Sequence, residues 1–327
     1  MNHDLRTGNL MGVILLATIL LSACAAPSAS TPTLEPAATP IPTLAPTATP
    51  VPTAMPVPTA TRVPATSAPT PTAGPTLLSK PPELILAINK PPRQTSYLAH
   101  VVYTLPQMDK VLLASELVYY NGLTVDIYYP PNYGFKAKLP FVILVHGLAE
   151  KSEFDKDMVQ HIDWAKLIAA SGMIAVSAQS GAVPNQASYR TLEFLAANAD
   201  VLGLDLTRIG FWTCSSQGAP MFLMLRDKEL PYRDGFRAGV FAYQHLTTDP
   251  SDWPQKLSLF VIKAGKDAYV SGSAMDKFVA RARSIGLPTE YVEVADAPHG
   301  FDTIRNTQAA KDAIRHALEF YKAKLLK

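Results

Sequence analysis

The sequence predicts an α/β domain in which a mainly parallel β-sheet is covered by helices on both faces. From residue 123 onward, short apolar runs alternate with stretches whose apolar residues recur at helical spacing. Some of these runs, such as 141–145, are unbroken, as they are in strands buried on both faces, and the helices covering them each need one apolar stripe. A third observation concerns chemistry. Serine, aspartate and histidine stand directly after such runs, and sheets of this kind bind ligands beyond the carboxyl ends of their strands.

The elements follow in order. Residues 123–129 alternate as a half-buried strand does, and Pro130-Pro131 stops them. Residues 141–145 are continuously apolar and run into His146-Gly147. Residues 162–170 have helical spacing, with Gly172 placed to cap the carboxyl end. Strands are expected at 173–178, 209–214, 238–243, 257–264 and 291–294. Helices are expected at 189–199, 274–285 and 308–325, with another after the serine-rich turn that follows residue 214.

The first quarter of the chain is different. Residues 27–82 are almost entirely Pro, Thr, Ala, Ser and Val, which cannot bury enough apolar surface to offset the entropy of ordering. Their proline density favours extended polyproline II conformations, so residues 24–82 read as a linker and 83–327 as the folded domain. Ahead of it, Arg6 and the short apolar run 10–21 end in Leu21-Ser22-Ala23-Cys24, the pattern of a secretory signal over residues 1–23. A cysteine directly after small residues resembles the bacterial lipobox. That resemblance implies a lipid on the Cys24 thiol, an extracytoplasmic address and a membrane anchor. The two cysteines, Cys24 and Cys214, offer no disulfide framework. A net charge of +2, with Lys and Arg interleaved among Asp and Glu, forms no basic stripe and sets nucleic acid aside as a partner.

Three strand ends carry chemistry. Cys214-Ser215-Ser216-Gln217-Gly218 lies between a buried run and a helix, where a sharp turn lifts a serine hydroxyl clear of the sheet. The turn favours small residues two before and two after the nucleophile. Cys214 and Gly218 satisfy this for Ser216, whereas Thr213 and Gln217 satisfy it poorly for Ser215. Counting the strand from Arg208-Ile209-Gly210 favours Ser215 instead. On the fit of small residues, Ser216 is the expected nucleophile and Ser215 the alternative. Ala264-Gly265-Lys266-Asp267 supplies a carboxylate able to orient a histidine, and Pro298-His299-Gly300 supplies that histidine as general base. Acyl transfer also needs two backbone N–H donors for the developing oxyanion. Gln217, following Ser216, and Leu148, after His146-Gly147, are the expected donors. His146 reads as a structural residue of its loop, and Cys214 as a small buried hydrophobe.

With Val145-His146-Gly147, Arg208-Ile209-Gly210-Phe211-Trp212, Ala264-Gly265-Lys266-Asp267 and Pro298-His299-Gly300-Phe301-Asp302 in view, residues 123–325 resemble the α/β-hydrolase superfamily, particularly its dienelactone-hydrolase-like members. The resemblance implies a three-layer fold with an eight-stranded sheet, a Ser-Asp-His triad and neither metal nor organic cofactor. Only about 13 residues separate the strands ending at Tyr243 and beginning at Leu257, too few for a large cap domain. The expected activity is therefore hydrolysis of a small-molecule or polysaccharide-borne ester at an open cleft. The alternatives are a non-catalytic surface binding lipoprotein on a degenerate hydrolase scaffold, supported by the irregular serine turn, and a peptidase of the same fold. The sequence leaves the oligomeric state open.

Overall fold

The structure is a computed structural model that describes residues 74–91, 99–145, 156–181 and 184–327. Cys24, with the signal and most of the linker, lies outside the described residues. So do His146, Gly147 and Leu148. Among the described residues no helix is long and apolar enough to cross a membrane.

Nine strands form one sheet in the order β1-β2-β3-β5-β4-β6-β7-β8-β9. β1 (Ile85–Leu86), β2 (Leu112–Tyr120) and β3 (Leu123–Tyr129) pair antiparallel along one side. β3 then pairs antiparallel with β5 (Ile174–Ala178). From β5 onward all pairing is parallel, through β4 (Leu139–Leu144), β6 (Leu204–Cys214), β7 (Phe236–Ala242), β8 (Ser258–Ala264) and β9 (Thr289–Val294). The ninth strand relative to expectation is the two-residue edge strand β1. β2 also has no counterpart among the runs read from the sequence.

The runs of the parallel part are mostly apolar, though Ser177, Thr213, Lys263 and Glu293 stand among them. Residues 209–214 of β6 and residues 238–242 of β7 are all buried. The two faces gather separate cores. Helices α1 (Val159–Ala170) and α7 (Gln308–Leu325) cover one face, packing Trp164, Leu167, Ile314 and Tyr321 against Trp212 and Val240. Helices α2 (Pro184–Ala197), α4 (Ala219–Arg226) and α5 (Gly272–Ser284) cover the other with Leu192, Phe194, Met221 and Phe278 against Phe211 and Phe241. The short α3 (Ala199–Leu202) precedes β6, and α6 (Phe301–Ile304) precedes α7. At about 25 cal/mol per Å2 of apolar surface, burial on two faces is the main stabilising term. Packing begins earlier than the composition shift suggests. Leu78 N–H donates to Asn198 Oδ1 (2.7 Å), and Asn198 Nδ2 donates to the Thr76 carbonyl (2.8 Å). Leu77-Leu78 interrupts the Pro/Thr pattern, and Leu78 packs on the core.

One charged cluster ties the antiparallel strands to the start of α1. Asp126 on β3 is fully buried and accepts from the ammonium groups of Lys90 and Lys156. A bulge in β2 assists. Glu116, at φ +58°, turns its N–H onto Asp126 Oδ1 (2.9 Å), and Ser115 Oγ donates to the same oxygen (3.3 Å). Glu116 and Asp157 complete the cluster against the two lysines. Burial pushes both of these carboxyls up, but hydrogen bonds and charge from Lys156 and Lys90 outweigh it and hold them below the usual range.

Removing the buried carboxylate takes from two buried ammonium groups their most deeply buried partner and leaves them the more exposed Glu116 and Asp157. Asp126→Ala should therefore lower unfolding free energy by about 3–5 kcal/mol in urea titrations. Glu116 and Asp157 have depressed folded-state pKa values, so their contribution is present above the unfolded-chain values near about pH 4. It is lost as pH falls through the lower folded values. The urea midpoint should drop on acidification below about pH 4, and less steeply in Glu116→Gln, which no longer titrates.

Candidate active site

The site is assembled by three chain segments that leave the carboxyl edge of the parallel strands β6, β8 and β9. β6 ends at Cys214, and the next residue, Ser215, adopts a left-handed backbone at φ +54°. This reversal lets the chain leave the sheet for α4 at once. The turn is clamped from β7, since Ser215 N–H donates to the Ala242 carbonyl (3.3 Å) and His245 N–H donates to the Ser215 carbonyl (2.6 Å).

The second and third segments touch each other. After β8, Gly265 N–H donates to the Val294 carbonyl and Lys266 N–H to the Ala297 carbonyl, both at 2.9 Å. A Cβ on Gly265 would lie 2.2 Å from the Ala295 carbonyl oxygen, so only glycine permits this approach. The contact fixes Asp267 beside His299. His299 Nδ1 lies 2.8 Å from Asp267 Oδ2, and His299 Nε2 lies 2.9 Å from Ser215 Oγ. The other oxygen of Asp267 accepts from the N–H groups of Tyr269 (2.8 Å) and Val270 (2.9 Å). The Asp267 side chain is only 4% exposed and that of His299 21%, so their interaction is largely shielded from water.

The structure thus brings together Asp267, His299 and Ser215, and corrects the preference for Ser216. Ser216 is exposed, one residue beyond the left-handed turn. The steric argument assumed that bulky residues at 213 and 217 would collide where strand and helix meet. Both instead turn into polar partners of their own. Thr213 Oγ1 donates to Gln244 Oε1 (2.9 Å), and Gln217 Oε1 meets His161 Nε2 (3.2 Å). The tight position is Gly218, where a Cβ would lie 2.6 Å from Phe222 and 2.9 Å from Gln244. Gln217 also needs correction as an oxyanion donor, because its N–H is committed to the Cys214 carbonyl at 2.9 Å. Among the described residues no hydrogen bond engages the Ser216 N–H, which follows Ser215 in the chain. Leu148 lies outside the described residues. Cys214 is buried, and burial pushes its thiol far above the ordinary range, which disfavours the thiolate.

A buried polar layer lies beneath the histidine, and sequence reading gave it no role. Tyr243 packs its ring edge-on against His299, with centroids 4.9 Å apart, and its hydroxyl donates to Asp302 Oδ1 (2.7 Å). Trp164 Nε1 and Gln160 Nε2 donate to Asp302 Oδ2, both at 2.8 Å. Asp302 stands three residues after His299 in His-Gly-Phe-Asp, an acidic residue on an otherwise apolar helix start, which is the available signal. Glu116, Asp126 and Asp157 offer carboxylate oxygens within 4.8 Å of one another, as a metal site does. Lys90 and Lys156 sit among them and already supply the positive charge a cation would bring.

No family model matches the chain, and no curated protein matches its sequence. Solved structures do match in fold. DphMB1 superposes with a TM-score of 0.52 at 18% identity, covering 72% of this chain and 89% of that one. A Klebsiella pneumoniae subsp. pneumoniae MGH 78578 protein assigned as a dienelactone hydrolase gives 0.51 at 17% identity, covering 64% and 98%. Thermogutta terrifontis esterase 2, solved phosphorylated by paraoxon, gives 0.51 at 15% identity, covering 67% and 94%. At such identities the likeness speaks for architecture. The mostly parallel sheet, the helices on both faces and the short β7–β8 connection are those of an α/β-hydrolase fold, and the described residues include no large cap domain.

Proposed function

We propose that this protein is a serine hydrolase that cleaves carboxylic esters through Ser215, His299 and Asp267. The observation that carries the reading is the continuous hydrogen-bond chain from the Ser215 hydroxyl through the His299 ring to the Asp267 carboxylate. Ser215 Oγ attacks the acyl carbon while His299 Nε2 takes its proton. Asp267 holds Nδ1 protonated and stabilises the imidazolium that results. The Ser216 amide is one donor to the oxyanion, and the loop after β4 supplies the other. His299 then returns the proton to the leaving alcohol, and water, activated in the same way, releases the acid and restores Ser215.

The match to a phosphorylated esterase supports this chemistry by analogy of fold. The short connection after β7 favours an open cleft that admits esters of varied shape, including acyl groups carried on polysaccharide. The lipobox-like Leu21-Ser22-Ala23-Cys24 and the Pro/Thr-rich tract support an extracytoplasmic, lipid-anchored address, where such substrates occur. A binding protein on the same scaffold would have no use for an aligned Ser-His-Asp chain, which ranks that reading second.

Hydrolysis of short p-nitrophenyl esters by the protein and its variants tests the assignment. Ser215→Ala should lower kcat/KM by more than about a thousandfold. Ser216→Ala, which removes an exposed hydroxyl and keeps the amide, should retain activity within about threefold. The reverse pattern, or no turnover by the unmodified protein, contradicts the proposal.

A further inference from the structure

We propose that Tyr243 and Asp302, held by Gln160 and Trp164, form a positioning unit that fixes the orientation of the His299 ring. The inference rests on His299 being the general base and adds residues that set its geometry.

The unit is a closed circuit. Gln160 Nε2 donates to both Tyr243 Oη (2.7 Å) and Asp302 Oδ2 (2.8 Å), and Tyr243 Oη donates to Asp302 Oδ1 (2.7 Å). Trp164 Nε1 adds a third donor to the carboxylate at 2.8 Å. Asp302 and Trp164 are fully buried, and Tyr243 and Gln160 nearly so. Burial pushes the Asp302 carboxyl up, and the three donors oppose it. Among the described residues no basic side chain pairs with Asp302. A carboxylate buried among neutral donors is expensive relative to apolar packing, and a phenylalanine would fill the space of Tyr243. A polar circuit at this depth therefore calls for a role beyond filling the core.

Its placement supplies that role. Tyr243 contacts His299 with its ring and, at φ +39°, sits in the same β7–β8 connection that clamps Ser215. Asp302 lies on α6, one short turn from His299, and Gly300 between them takes the left-handed conformation at φ +70°. The Tyr243 ring also meets Phe301 at 5.6 Å, while Tyr269 borders His299 from the solvent side at 5.3 Å. Gln160 and Trp164 belong to α1, whose His161 reaches Gln217 in the nucleophile turn. One helix thus anchors both the base and the turn that presents the nucleophile. The hydroxyl of Tyr243 sets the tilt of its ring, and the ring sets the plane of His299.

The test is Tyr243→Phe, which keeps the ring and removes the hydroxyl, alongside Asp302→Asn. Two readouts are taken on folded protein: ester turnover, and the downfield proton resonance of His299 Nδ1–H in its bond to Asp267. The expected result is a fall in kcat of about tenfold with KM within about twofold, less than the ~100-fold of a 1 Å misplacement. The resonance should shift or broaden in the same variants. Unaltered kcat and an unmoved resonance in Tyr243→Phe overturn the proposal, as does a lowered melting temperature with kcat and resonance intact, which marks a purely structural brace. Should the unmodified protein turn over no ester, the function assigned above fails, and the resonance alone decides this inference.

Discussion

A side-chain-bearing residue at the end of a buried strand is forced into a left-handed backbone, and the arrangement of the site depends on it. Ser215 sits at φ +54°, a conformation that costs about 1–3 kcal/mol for a residue other than glycine. The surrounding structure holds it there through two backbone hydrogen bonds, one to the end of β7 at Ala242 and one from His245 in the β7–β8 connection. The strain is what allows the hydroxyl to stand above the sheet edge rather than lie within it. Every other site residue is arranged around the point in space that this turn defines.

Two further devices converge on that point. The loops after β8 and β9 touch through the missing side chain of Gly265, which brings the carboxylate and the imidazole to 2.8 Å. Beneath them, α1 carries polar contacts to the turn after β6, through His161 and Gln217, and to the base-bearing segment, through Gln160, Trp164 and Asp302. The same helix begins next to Lys156, which is bound to the buried Asp126 of β3. The antiparallel side of the sheet and the site are therefore joined through one element, although Ser215, Asp267 and His299 lie on the parallel side.

The parallel strands were legible because burial on both faces leaves runs that are wholly or mostly apolar, as in residues 141–145 and 209–214. β2 was not, since Ser115 and Glu116 interrupt its alternation, and they do so because the bulge turns them toward Asp126. The aspartate and histidine could be placed from their positions after strands. The choice between adjacent serines could not be made on side-chain size, because Thr213 and Gln217 escape the predicted collision through partners, Gln244 and His161, that are distant in sequence. Strand length from Arg208-Ile209-Gly210 pointed to Ser215, the serine whose hydroxyl meets His299. Tyr243 and Asp302 were invisible as a unit for the same reason: 59 residues separate them, and the motif that carries Asp302 gives no sign of its partner Tyr243.

The central claim is that one particular hydroxyl, and no neighbour, is activated by the histidine. Treating the protein with a fluorophosphonate, digesting it and locating the adduct by mass spectrometry tests this most directly, without knowledge of the natural substrate. A single phosphonylated residue at Ser215 is the result that this geometry requires. Modification at Ser216, or a protein that stays unmodified under conditions that label serine hydrolases, would contradict it.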